Sequence, residues 1–137
     1  EKYNIEFKMK DMLYKYDIFA NCEWITIQGE TFGQGGQNRN YSLKEHDFKA
    51  FNLIDSKRGR WNTIDMKNCL ERKFDIPCVP IVDENFILPD TVPELLIYAT
   101  GESVIDGKPR EGIVFRAQDG INSFKAVSNE YLEKYHC

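Results

Sequence analysis

The sequence predicts an α+β fold with largely antiparallel sheets and flanking helices, and three observations point to it. Helical and alternating apolar patterns are interspersed without a strict strand–helix–strand rhythm. Two strand patterns near the end of the chain meet across Asp119-Gly120, a pair suited to the positive φ of a hairpin turn. No internal linker is long enough to divide the chain, so residues 1–137 read as a single domain.

Taken in order, Ile5, Met9, Met12 and Tyr16 recur at helical spacing and predict an amphipathic helix over 5–16. Glu23-Trp24-Ile25-Thr26-Ile27-Gln28 is rich in β-branched and aromatic residues and predicts a strand closed by Gly29. Residues 31–40 hold Gly33, Gly35, Gly36, Asn38 and Asn40 and read as a loop. A second strand follows over 46–55, then a polar hinge over 56–60, a helix over 63–73 and a short apolar strand over 78–82. Thr91-Val92-Pro93-Glu94 has the form of a capping box, with proline tolerated in the first turn. The helix it opens, 92–100, is expected to stop at Gly101. Residues 111–117 and 123–127 are the hairpin strands, and Ser128 can cap a last helix running towards Tyr135.

Composition narrows the function classes. A chain 42% hydrophobic and 13% aromatic is not disordered by default. No apolar run approaches the roughly 18 residues that cross a bilayer, so no membrane partner is expected. The net charge of -4 argues against a polybasic binder while leaving room for a local basic groove. Cys22, Cys69, Cys78 and Cys137 form no C-x-x-C pair, and with His46 and His136 they offer no zinc spacing. Scattered thiols without a secretory signal read as reduced, in the cytoplasm.

Several residues can carry chemistry. In the strand 46–55, alternation puts Phe48, Ala50 and Ile54 on a core face and Asp47, Lys49, Phe51, Leu53 and Asp55 on the other. Phe51 is then a ring beside charges, able to stack on a flat ligand such as a purine; a second layer covering Phe51 and Leu53 is the plainer alternative. The strand from Glu111 sets Glu111, Ile113 and Phe115 on one face and Val114 and Arg116 on the other. A carboxylate beside Gly112 can support a Mg²⁺ shell, or is simply solvated after a basic loop with Lys108 and Arg110. Lys125, inside a strand, is either a point charge for a phosphate or an edge lysine that discourages aggregation. Glu30, ahead of the glycine-rich loop, can reach a ribose hydroxyl, though a plain hairpin turn explains the segment as well. That loop lacks the Lys-Ser/Thr ending of a Walker A phosphate loop.

Together and in order, QGETFGQGGQNRNYSL (28–43), DFKAFNL (47–53), EGIVFR (111–116) and SFKAVSNEYL (123–132) resemble the ATP-dependent RNA ligases of the covalent nucleotidyltransferase superfamily. The likeness is closest to bacterial and phage-type members, covers almost the whole chain, and draws its specificity from the pairing of the last two segments. It implies part of an ATP-grasp-like nucleotidyltransferase domain that uses ATP and Mg²⁺ to join RNA 5′-phosphate and 3′-hydroxyl ends through enzyme-AMP and RNA-adenylate intermediates. It also implies roles for single residues. Glu30 contacts the adenylate ribose, Phe51 stacks on adenine, Glu111 supports the divalent metal through water, and Lys125 contacts the α-phosphate of AMP. Glu111 and Lys125 are thereby the catalytic pair, while Arg116 and, in the loop, Arg39 touch RNA phosphates.

Two departures from the family pattern stand out. Its last motif often carries K-x-K, and here Ser123 takes the first place. Its nucleophile is the lysine of K-x-D-G, which this sequence lacks: Lys15-Tyr16-Asp17-Ile18 and Lys44-Glu45-His46-Asp47 have no glycine. The chain starts at Glu1 without Met, and the expectation is a piece of a longer ligase, cut downstream of the nucleophile and unable by itself to self-adenylylate. The rest of that parent chain is then its partner. The alternatives are a non-catalytic nucleotide- or RNA-binding module of the same fold, a DNA ligase, or a capping guanylyltransferase.

Overall fold

The computed structural model describes residues 3–32, 47–102, 110–119 and 122–128. These form two compact units, one from the described residues up to Val79 together with those of 118–121, the other from Pro80 to Ala117 and from Asn122 onward. The fold class is α+β with antiparallel sheets, as the sequence predicts.

The first unit runs α1 (Ile5–Lys15), a 3₁₀ turn (Asp17–Phe19), β1 (Ile25–Phe32), β2 (Asp47–Asp55), β3 (Gly59–Arg60) and α2 (Thr63–Phe74). The strands pair antiparallel in the order β1-β2-β3. On α1, Met12 is fully buried and Ile5 packs at the margin of the core, while Tyr16 falls just past the helix and meets Phe74 edge-on at 4.8 Å. The α2 helix starts at Asn62, whose side chain accepts from Asp65 N at 2.8 Å, one of the donors a helix start leaves unmatched. It buries Met66, Cys69, Leu70 and Phe74, a stripe at helical spacing that lies against β2.

The main departure from the sequence expectation is in β2. Gln28 pairs with Asn52 but Gly29 pairs with Ala50, so Phe51 is an extra residue with no partner across the ladder. Such a bulge reverses the alternation on its far side. Ala50 and Leu53 consequently share one core, although strict alternation sets them on opposite faces. Ile54, expected in that core, lies instead opposite the exposed Thr26. Nor does Gly29 close β1, which continues to Phe32 and takes Thr31 and Phe32 out of the expected loop. A Cβ on Gly29 would stand 2.3 Å from the Phe48 ring and 2.6 Å from Lys49 O, so only glycine lets the strands meet here.

The polar hinge folds around a buried carboxylate. Asp55, 1% exposed, accepts from Lys57 N at 2.8 Å, Arg58 N at 2.6 Å, Arg58 Nη1 at 2.8 Å and Trp61 Nε1 at 2.6 Å. Burial pushes this carboxyl up, but the hydrogen bonds from Arg58, Trp61 and Lys57 outweigh it and hold the pKa at about 2. The strand expected over 78–82 reduces to one parallel bridge between Ala50 and Cys78, with Ala50 N donating to Pro77 O and Val79 N to Ala50 O. Pro77 and Pro80 bracket that bridge and have no N–H to extend it.

The second unit holds α3 (Val92–Ala99), β4 (Gly112–Arg116) and β5 (Ser123–Val127), the strands pairing as an antiparallel hairpin. Thr91 Oγ1 accepts from Glu94 N at 3.4 Å, as the capping pattern predicts. Beyond the end of α3, Gly101 has a φ of 146°, open to glycine and rarely to other residues. Arg110 then serves as a C-terminal cap, its guanidinium donating to the carbonyls of Ala99 at 2.9 Å, Tyr98 at 2.5 Å and Thr100 at 3.3 Å. Ala99, Phe115 and Ala126 form the core with Phe86, Leu95, Leu96, Tyr98 and Ile113 around them, and Phe124 stacks on Phe115 at 5.2 Å. Gly120 and the helix expected after Ser128 lie outside the described residues, as does the loop from Gly33 onward with Arg39.

Candidate functional site

Two of the predicted site residues belong to the sheet of the first unit. Along β1, Ile25, Ile27 and Gly29 are half-buried, whereas Thr26, Gln28, Glu30 and Thr31 are exposed. Glu30 lies opposite Lys49, and Gln28 opposite Asn52. Phe51, the residue without a partner in the ladder, follows the buried Ala50, precedes the buried Asn52, and belongs to neither core. Phe51 is half-buried and Glu30 exposed. Asn52 Nδ2 donates to Gln28 Oε1 at 2.7 Å, tying the strands together immediately beside the bulge. Sequence reasoning passed over Asn52; the detectable signal was apolar residues at both parities of one strand, Ala50 and Leu53.

The other pair is on the hairpin of the second unit. Lys125 Nζ lies 2.5 Å from Glu111 Oε1, with the two side chains 43% and 40% exposed. Strict alternation sets them on opposite faces, and the structure corrects this. Glu111 precedes β4 by one residue and is anchored by Ser128 N donating to its carbonyl at 2.7 Å. Gly112 between them permits the close approach, since a Cβ there would stand 2.0 Å from Ala126 O. Val114 is directly opposite Lys125, and Arg116 opposite Ser123, which places Arg116 on the Lys125 face at the other end of the strand.

The donor set bears on the metal. Among the described residues, no group of three His, Cys, Asp or Glu side chains could cage an ion. A single carboxylate such as Glu111 suits magnesium, which keeps several waters and relies on substrate phosphates for other ligands. No helix among the described residues is long and apolar enough to cross a membrane.

The comparisons with known proteins bear on this geometry. The family model described as RNA ligase matches residues 1–127. A Naegleria gruberi RNA ligase variant with ATP and Mn superposes with a TM-score of 0.80 at 30% identity, covering 98% of this chain and 39% of that one. A second variant of that ligase, with AMP and Mn, gives 0.78 at 33% identity over 98% of this chain and 40% of its own. The same ligase with PPi gives 0.78 at 33% identity, with 98% and 40% covered. The chain therefore spans about two-fifths of the length of the solved ligase it matches. No curated protein matches it. Because the family model reaches Val127, the last residue of β5, and so takes in every described strand, the chain belongs to the RNA ligase family.

Proposed function

We propose that this chain is part of the nucleotidyltransferase domain, in one piece over 1–137, of an ATP-dependent RNA ligase acting in cytoplasmic RNA repair. The reaction joins a 5′-phosphate to a 3′-hydroxyl in three transfers. A lysine amine attacks ATP and expels pyrophosphate; the AMP passes to the RNA 5′-phosphate; the 3′-hydroxyl then displaces AMP. Each transfer needs in-line geometry and positive charge at the equatorial phosphate oxygens.

The residues divide that work. Phe51 stacks on adenine and Glu30 accepts from a ribose hydroxyl, which fixes the nucleotide in position. The Lys125 ammonium, held by Glu111 when no nucleotide is present, turns to an α-phosphate oxygen, which frees the Glu111 carboxylate; Glu111 would then support a divalent metal through water. Magnesium held there would supply positive charge at the phosphate oxygens. Arg116 and Arg39 meet RNA phosphates. The observation that carries this reading is the contact between Glu111 and Lys125, the acid and the ammonium of the two motif segments.

None of these residues supplies the nucleophilic amine, and the sequence holds no K-x-D-G. The chain alone is therefore expected to bind nucleotide weakly and form no adduct. Intact mass spectrometry after incubation with ATP and Mg²⁺ checks this: no AMP adduct is expected, and a stoichiometric, acid-labile one would overturn it.

A further inference from the structure

The first unit contains a second feature, separate from Glu30 and Phe51. A cavity of about 600 Å³ is lined by residues of β3, α2 and the turns beside them. Ile18, Trp61 and Cys69 contribute its apolar wall, and Arg58, Arg60, Arg72 and Lys73 stand around it with Asp65 and Asp119. Four cations against two carboxylates reverse the sign of a chain whose net charge is -4.

The charged groups are not equivalent. Arg58 is committed inward, 2.8 Å from Asp55 Oδ2, donating to Ile18 O at 2.5 Å and 5.4 Å from the Trp61 ring centroid. Trp61 donates to Asp55 and stacks on Phe19 at 5.6 Å, so its ring serves as a wall and not as a platform for a base. Asp65 Oδ2 accepts from Asn62 Nδ2 at 2.8 Å. Arg72 and Lys73, in the last turn of α2, are exposed and form no ion pair among the described residues. Cations there offset the helix dipole, but that alone does not require them to line one cavity together with Arg60.

We infer that this cavity holds the sugar–phosphate backbone of an RNA strand, with Arg60, Arg72 and Lys73 meeting phosphates and no base being read. Its volume lies within the roughly 300–1,000 Å³ usual for ligand pockets. Binding of this kind is independent of sequence and steeply dependent on salt. The inference rests on the ligase reading only for RNA as the polyanion.

The test is fluorescence anisotropy of a labelled oligouridylate titrated with the chain at several salt concentrations. Arg72→Ala/Lys73→Ala should bind several-fold more weakly, with a log–log salt slope shallower by about 1.4 for two lost phosphate contacts on a single strand. Lys10→Ala/Lys15→Ala, which removes two cations of α1 outside the cavity, should keep both affinity and slope. Arg72→Gln/Lys73→Gln, which retains helix propensity, should repeat the loss. Unchanged binding in the cavity variants, or an equal loss in the α1 variant, overturns the inference. Competition by UMP as effective as by unlabelled oligomer also overturns it, because it marks a one-phosphate pocket. Phe51→Ala separates the two readings: if the adenylate site is misassigned, ATP titrations fail to respond to it while the RNA titrations stand.

Discussion

Lys125 Nζ and Glu111 Oε1 meet at 2.5 Å from opposite sides of a hairpin in which simple alternation would keep them apart. The contact exists because Glu111 lies just outside β4 and Gly112 has no side chain between the strands. With both groups about two-fifths exposed, the pair contributes roughly 0–1 kcal/mol to stability.

Lys125→Ala is accordingly expected to change the unfolding free energy by no more than about 1 kcal/mol. Nucleotide affinity should fall by about tenfold or more, the loss of one charge-assisted contact to phosphate. Calorimetric titration with ATP beside urea denaturation separates the two effects.

The bulge at Phe51 makes its own prediction. Leu53 is fully buried, so Leu53→Ala should destabilise by about 3 kcal/mol. Phe51→Ala should cost less than about 1 kcal/mol, because the ring belongs to neither core. Uninterrupted alternation puts these two residues on one face and predicts similar losses, so denaturant midpoints of the pair distinguish the two registers.

Gly29→Ala drives a methyl group to within 2.3 Å of the Phe48 ring and 2.6 Å of Lys49 O. Overpacking of that kind destabilises by about 1–3 kcal/mol, and relief by strand shift moves the neighbouring bulge. The expected result is a lower melting temperature together with weaker nucleotide binding.

Asp55 sets an acid limit on the first unit. Its folded pKa, about 2, lies below the ordinary carboxylate value, so its stabilisation is complete at neutral pH and is lost as pH falls from about 4 through 2. The linkage amounts to about 2 kcal/mol. Asp55→Asn should flatten that part of the stability–pH curve, measured by denaturation between pH 2 and 6, and Asp55→Ala should lose about 3 kcal/mol by leaving the Arg58 and Trp61 donors unmatched.

Cys78 is 4% exposed, and burial pushes its thiol up to about 12, with Glu71 adding to the shift. Thiolate is the reactive form. Native protein should therefore leave Cys78 unlabelled by iodoacetamide at neutral pH, while denaturant exposes it to full labelling, as peptide mass spectrometry would show.

The amino-acid order determined the elements whose signals lie between near neighbours. The α1 and α2 helices, the Thr91 cap and the hairpin strands were all legible from spacing of a few positions. The bulge, the Arg110 cap on α3, the four donors on Asp55 and the contact between Glu111 and Lys125 were decided only by the folded chain. Each depends on a partner strand, a turn or a helix end that periodicity within one segment does not specify. At Phe51 a single unmatched residue reverses which side chains enter the core, because inward and outward positions in a strand differ by one step.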